Sequence, residues 1–279
     1  MNGFILVNKE TGVTSNSIVQ QIKKKIKAKK VGHLGTLDPL ASGLLILAVN
    51  RATKFSSYFL ESDKTYDVQF ELGTSTDTED STGNIIYQSN KLPKKSEVKT
   101  VLDNLVGDSM QIPPFFSALK HKGKPLYEYA RKGEFIKKPP RRITIKSIKN
   151  FNMNEKVCSF RIHCSKGTYI RSIGRDLGNY FGCGAHMRSL KRISQGNFFL
   201  NQANIASDTK IENIINIDDA FSDFKKIIID GEDLKKFING VKVSDKRCEY
   251  NLLRVFSKSG NFIGIGEIKN NFLKHKQLV

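Results

Sequence analysis

Apolar residues recur along the chain at spacings that predict short strands alternating with helices. Phe4–Val7 reads as a buried strand. Ile18, Val19, Ile22 and Ile26 fall on one face of a helix that Ser15 or Asn16 can cap, with lysine on the opposite face. Residues 31–43 (VGHLGTLDPLASG) hold too many turn formers to be regular throughout. Leu44–Val49 predicts a central strand, followed by a helix to Leu60. Tyr66, Val68, Phe70 and Leu72 alternate with polar neighbours, the pattern of a strand with one buried face. Thr74–Gly83 reads as a polar, acidic loop. Ser96 is the expected cap of a helix with Val98, Val101, Leu102 and Leu105 inward and Gly107 just past its end.

The pattern changes over 111–142, which Pro113–Pro114, Pro125 and Pro139–Pro140 interrupt; this segment reads as an insertion projecting from the body. Strand patterns return at Ile143–Ile148 and Cys158–Cys164. A helix is expected over Thr168–Phe181 with Ile170, Ile173 and Leu177 inward, and a connector over 201–226. From Ile227 a short helix carrying Leu234 and Phe237 ends at Gly240, and strands Leu252–Phe256 and Phe262–Ile268 flank a Ser-Gly-Asn turn. The expected organisation is therefore α/β (α+β): a body over 1–226 with a mixed, largely antiparallel sheet and flanking helices, then a small β-rich module over 227–279.

Charge narrows the partners. The chain carries 46 Lys and Arg against 27 Asp and Glu, a formal net charge of +19. A field of that sign attracts polyanions. The cations cluster, with six lysines in Lys23–Lys30 and nine Lys or Arg within Lys120–Arg142. Neither cluster has a broad apolar face, so nucleic acid is the expected partner and a membrane is not. No apolar stretch reaches the ~18 residues of a membrane span. The first ten residues lack a signal-peptide pattern, and a cytoplasmic protein is expected. Cys158, Cys164, Cys183 and Cys248 form no CxxC pair, so reduced cysteines and no metal are expected.

Within Val31–Gly43, Asp38 precedes Pro39, which pushes its backbone toward an extended conformation, and Gly32, Gly35 and Gly43 permit turns and close approach. The loop feeds an apolar strand, a rigid base for a reactive carboxylate. Taken alone, Asp38 is equally a turn-forming aspartate.

Longer blocks change that balance. GHLGTLDPLASG, ATKFSSYFLESDKTY and LGTSTDTEDSTG resemble the bacterial tRNA pseudouridine-55 synthases, the TruB-type family. So do QIPPFFSALKHKGKPLYEYARKGE, CSKGTYIRSIGRDLG and GCGAHMRSLKRI. The resemblance implies isomerisation of a uridine in the T stem-loop of tRNA, with no cofactor, by a monomer. Asp38 would be the catalytic carboxylate. Arg171 would pair with it, Tyr66 would stack on the target base, and Leu190 would exclude water. His33 would prop open the RNA from which the base has been flipped, and Tyr169 would belong to the same substrate-binding set. The insertion resembles a thumb that grips the T arm, with Lys122, Lys124, Lys137, Lys138, Arg141 and Arg142 on phosphates and Phe115, Phe116, Tyr127 and Tyr129 as stacking candidates. Guide-dependent relatives lack such a thumb, so no guide RNA is expected. The last 53 residues resemble a short PUA-type RNA-binding domain. Two other classes stay open. One is an RNA-binding scaffold without catalysis; the other is a glycosidase drawing a second carboxylate from residues 77–80.

Overall fold

A computed structural model describes residues 1–245, 247 and 249–279, so the expectation for Cys248 lies outside the described residues. The two apolar runs near the N-terminus pair with each other: Gly3–Lys9 lies antiparallel to Ser42–Val49, from Gly3↔Val49 to Lys9↔Gly43. They form one end of a nine-stranded sheet. Across it follow Ala185–Gln195, Lys64–Leu72, Val157–Cys164, Arg141–Asn154 and Gly107–Gln111, while Val31–His33 and Phe198–Phe199 add as short side strands. Every pairing is antiparallel except the join of Lys191–Arg192 to Ser42–Gly43. This is the mixed, largely antiparallel sheet expected from the patterns.

Burial divides the sheet into two halves. Ser42–Val49 is covered on both faces: Leu45, Leu47 and Val49 enter one apolar core, and Leu44, Ile46 and Ala48 another. Lys64–Leu72 buries only alternate residues, Tyr66, Val68, Phe70 and Leu72 among them, as its period of two predicts. The first core also takes Ile18, Val19 and Ile22 from the helix Ser15–Lys25, Val98 and Leu102 from Lys95–Asn104, and Ile170, Ile173 and Leu177 from Ile170–Tyr180. Each such side chain contributes about 1.5–3 kcal/mol when fully buried.

Four local expectations need correction. The first helix is capped by Thr14, whose hydroxyl accepts the Ser17 N–H at 3.0 Å; Ser15 is buried and bonds elsewhere. The helix Lys95–Asn104 starts upstream of Ser96, because the Glu97 carboxylate accepts the Lys94 N–H at 2.6 Å. After Val49 the chain makes a 3₁₀ segment, Asn50–Phe55, before the short α-helix Ser56–Leu60. The acidic loop is not loop throughout: Thr74–Thr76 pairs with Ile85–Gln88.

Residues 112–140 leave the sheet between Gly107–Gln111 and Arg141–Asn154, which pair from Arg141↔Gln111 to Ile145↔Gly107. They contain a minimal hairpin, Lys120–His121 with Lys124–Pro125, and the helix Leu126–Ala130. Beyond the 3₁₀ turns of 200–221, a five-stranded sheet forms in the order Lys225–Ile229, Tyr250–Ser257, Phe262–Lys269, Phe272–Leu278, Val243–Ser244. The helix Gly231–Ile238 accompanies it, with Phe237 fully buried. Among the described residues no helix is long and apolar enough to cross a membrane.

Candidate active site

Residues 34–41 have no repeating backbone pattern, so their polar groups need partners outside the segment. The body supplies them. The Leu34 N–H donates to the Ile46 carbonyl at 2.8 Å, and Gln195 Nε2 donates to the Leu34 carbonyl at 2.5 Å. Arg192 donates to the carbonyls of Gly35 at 3.0 Å and Leu44 at 2.7 Å. The Ser15 hydroxyl serves both backbone groups of Leu37, each at 2.9 Å. The Pro39 carbonyl accepts from the Gly12 N–H at 2.8 Å and from Lys9 Nζ at 3.4 Å. Gly43 has φ +97° and lies so close to the next strand that an added Cβ would sit 2.4 Å from the Arg192 carbonyl. Gly32 meets no such constraint; it is an ordinary strand position with open space beside it.

Asp38 projects from this pinned loop toward Arg171. The Arg171 Nε lies 2.9 Å from Asp38 Oδ2; the arginine side chain is 6% exposed and the aspartate 36%. The other guanidinium nitrogens donate to the carbonyls of Thr78 at 3.0 Å and Phe116 at 2.8 Å. One buried fork therefore joins the aspartate loop, the acidic hairpin and the insertion. Its helix can approach the sheet because Gly174 meets the Phe70 ring where a Cβ would fall at 2.7 Å. Tyr169 precedes that helix. Gln111 holds both its backbone groups, at 2.8 and 3.0 Å, and the Arg141 guanidinium lies 4.4 Å from its ring centroid.

Tyr66 and Leu190 are each 8% exposed and pack in the same core as Leu37 and Ala41. Burial pushes the Tyr66 hydroxyl up to about 12, while Arg192 pulls the other way. Arg192 stands directly opposite Tyr66 in the strand pairing. It is 1% exposed and has no carboxylate partner among the described residues; burial lowers its pKa, and the neighbouring Tyr66 opposes that shift. His33 is half-buried on the strand Val31–His33, its Nδ1 without a partner among the described residues, and burial followed by Arg192 depresses its pKa below the ordinary histidine value. Lys9 is fully buried, and its ammonium donates to the carbonyls of Glu10 at 2.9 Å and Val13 at 2.7 Å besides that of Pro39. Burial brings its pKa down to about 8, with Asp38 opposing the change. Burial brings Lys64 to about 8 as well.

The structure thus pairs Asp38 with Arg171, puts His33 on the strand that leads into the loop, and sets Tyr66 and Leu190 in the core that Leu37 and Ala41 enter, while Tyr169 is held by Gln111 and Arg141 beside the Arg171 helix. It adds Lys9, Ser15, Gln195 and Arg192, which pattern reading had not selected. Two of these carried a signal. Lys9 has the strand parity of Ile5 and Val7, and Arg192 that of Leu190, so both point inward where a polar residue needs a reason.

The six expected RNA-contact residues differ in how free they are. Lys122, Lys124 and Lys137 are exposed. Lys138 donates to the Lys120 carbonyl at 3.0 Å, Arg141 lies over Tyr169, and Arg142 pairs with Asp108 at 2.7 Å. Of the stacking candidates, Phe115 already packs edge-on to Phe135, at 5.3 Å between centroids. The carboxylates of the acidic hairpin are engaged. Glu79 pairs with Arg175 at 2.7 Å, and Asp80 accepts from the hydroxyls of Thr78 at 2.8 Å and Thr82 at 2.5 Å. Neither is free to act as the second acid of a glycosidase. A cavity of about 350 Å³ opens between Glu71, Thr74, Gln88, Lys156 and His186, but no residue of the Asp38 set lines it. Among the described residues no three His, Cys, Asp or Glu side chains gather as a metal site.

Comparison with known proteins is consistent along the whole chain. Residues 23–170 match the TruB family pseudouridylate synthase N-terminal domain, 171–239 the tRNA pseudouridylate synthase B C-terminal domain, and 226–279 the pseudouridine synthase II TruB C-terminal domain. The chain is 40% identical to the tRNA pseudouridine synthase B of Clostridium kluyveri, over 97% of this chain and 96% of that one. It is 38% identical to the protein of the same name from Clostridium novyi, over the full length of both. In fold it is similar to a chain in the structure of an H/ACA ribonucleoprotein bound to a substrate RNA containing 2′-deoxyuridine. That likeness has a TM-score of 0.72 at 20% identity, over 99% of this chain and 84% of the other.

Proposed function

This chain belongs to the TruB family of pseudouridylate synthases, and from that premise we propose that it converts the uridine at position 55, in the T-arm loop of tRNA, to pseudouridine by flipping the base and exchanging its glycosidic bond at Asp38. The reaction is an isomerisation. The bond from N1 to the sugar breaks, the base turns over, C5 bonds to the same carbon, the C5 proton leaves, and N1 takes one up. No atom is gained or lost overall.

The observation that carries the reading is the state of Asp38. One carboxylate oxygen is held on the buried Arg171, while about a third of the side chain remains open to a substrate. A loop pinned along its length keeps that carboxylate in place without reorganisation at the moment of reaction. On this reading Tyr66 and Leu190, each 8% exposed, are the ring and the apolar wall that meet a flipped base once it enters and keep water from the broken bond. Tyr66 is the candidate acceptor of the C5 proton; its hydroxyl stays protonated at neutral pH, so as it takes the new proton it releases its own to water, and N1 takes one up from water in turn. His33, uncharged at neutral pH for the same reason of burial, fills the stack left by the base. The exposed lysines of the insertion supply phosphate contacts, which is why the reading needs no guide RNA.

Incubating the purified protein alone with an unmodified tRNA transcript, then mapping pseudouridine by nucleotide, tests this directly. Product at position 55 of the T loop is expected. Product confined to another arm would overturn the site assignment while leaving the chemistry standing.

A further inference from the structure

Arg192 is a cation with no reason to be where it is, unless it organises its neighbours. It is 1% exposed, and no carboxylate among the described residues lies within ion-pair distance of it. Removing a guanidinium from water without a counterion is costly, and backbone carbonyls must offset it. Its Nε reaches the carbonyl of Leu44, three residues past the Asp38 loop, and its Nη2 that of Gly35, near the loop's start. Its own backbone lies against Gly43, where only a missing Cβ allows the contact. Tyr66 stands opposite it in the sheet and packs into the core that the Asp38 loop also enters.

We propose that Arg192 is a positioning residue that braces the Asp38 loop at both ends and aims the Tyr66 hydroxyl, so that carboxylate and phenol meet the flipped base as one rigid unit. This rests on the reading of the site given above. A planar fork with fixed donor directions can hold two carbonyls and a phenol together; an ammonium at the same place cannot serve all three in fixed geometry. Lys9 shares the work on the loop alone, since its donors go to Glu10, Val13 and Pro39.

The test uses the full chain with Arg192→Met, Arg192→Lys, Tyr66→Phe and the double variant Arg192→Met/Tyr66→Phe, under single-turnover conditions on a tRNA transcript. Methionine fills similar volume without the buried charge, so the chain still folds even though the Leu44 and Gly35 carbonyls lose a donor. Arg192→Met should lower the rate of the chemical step about 100-fold, the scale of a misplaced reacting group, with RNA affinity within about threefold and the protein still folded at the assay temperature, though with a lower unfolding midpoint. Arg192→Lys should recover part of the rate. The double variant should lose clearly less than the product of the two single losses, because part of the effect runs through the Tyr66 hydroxyl. A wild-type rate in folded Arg192→Met overturns the proposal, as does a loss matched by the folded fraction alone. Fully multiplicative losses in the double variant overturn the tyrosine half. If the wild-type protein itself forms no pseudouridine, the reading of the site fails instead, and the two failures are told apart.

Discussion

Residues 34–41 and 112–140 are both irregular and both marked by proline, yet they are held in opposite ways. The first buries Leu34, Leu37 and Ala41 and hands its backbone groups to Ser15, Gln195, Arg192 and Lys9. The second is mostly exposed. Its bonds are largely its own, such as Leu126 N–H to the Leu119 carbonyl and Tyr127 N–H to the Ser117 carbonyl. It is fastened at its root, where Gln111 holds Tyr169 and the Phe116 carbonyl takes a donor from Arg171. Irregular sequence therefore says nothing of rigidity. What decides is whether buried side chains satisfy the backbone. On the proposed function, a carboxylate that must meet one atom would need the first arrangement, and a surface that must follow a phosphate chain would be served by the second.

The sharpest way to break this contrast is Gly43→Ala. A Cβ at positive φ pressed into the Arg192 carbonyl should cost about 3 kcal/mol or more, read as a shift in the denaturant unfolding midpoint. An unchanged midpoint would mean the loop seat is soft after all. Next in size is Lys9→Met, which takes the ammonium donor from the Glu10 and Val13 carbonyls and leaves Pro39 only the Gly12 N–H; it should cost about 2 kcal/mol at pH 7. Its pH dependence has a defined sign. Burial puts the folded Lys9 near 8, against 10.5 when exposed, so between those values the unfolded chain binds the extra proton. Wild-type stability should then rise with pH from 8 to 10.5 relative to the variant, and the gap between them should widen. A constant gap across that window would show that the amine does not feel its burial.

Smaller again is Ser15→Ala. It leaves the Leu37 N–H without an acceptor and should cost about 1–2 kcal/mol, with a slower chemical step and RNA affinity unchanged, as equilibrium binding and single-turnover rates would report. At the far end stands the insertion. Replacing Lys122, Lys124 and Lys137 with alanine should move stability by under about 0.5 kcal/mol. Filter binding across a salt series should instead show weaker association and a flatter slope, by about one unit for each phosphate contact removed. A stability loss as large as that of Lys9→Met would erase the distinction between the two segments.

Much of the frame was legible in the residues. Tyr66 to Leu72 alternates as it should, and Ile18, Val19 and Ile22 face the core, because both periods follow directly from which side chains can leave water. The Asp38–Arg171 pair was legible only through its family blocks: 133 positions separate the two, and no local period links them. The supports of the site were the hardest to see. Thr14 rather than Ser15 caps the first helix because Ser15 is drawn inward to Leu37, a tertiary bond that local cap preference does not register. Glu79 and Asp80 lie in what reads as a polar, acidic loop, but the folding of Thr74–Gln88 into a hairpin turns them onto Arg175 and the threonine hydroxyls. Lys9 and Arg192 read as two more lysine and arginine residues in a basic chain, and only strand parity set them apart.

The account depends most on Asp38, and one paired assay examines it. Wild-type protein and Asp38→Asn are each mixed with unmodified tRNA transcript, and both bound RNA and pseudouridine are quantified. Full conversion by the wild type is expected. The variant should form no product above background and bind the RNA within about tenfold of wild type, about 1.4 kcal/mol. Turnover retained by the asparagine variant would contradict the assignment of Asp38 as the group that exchanges the glycosidic bond.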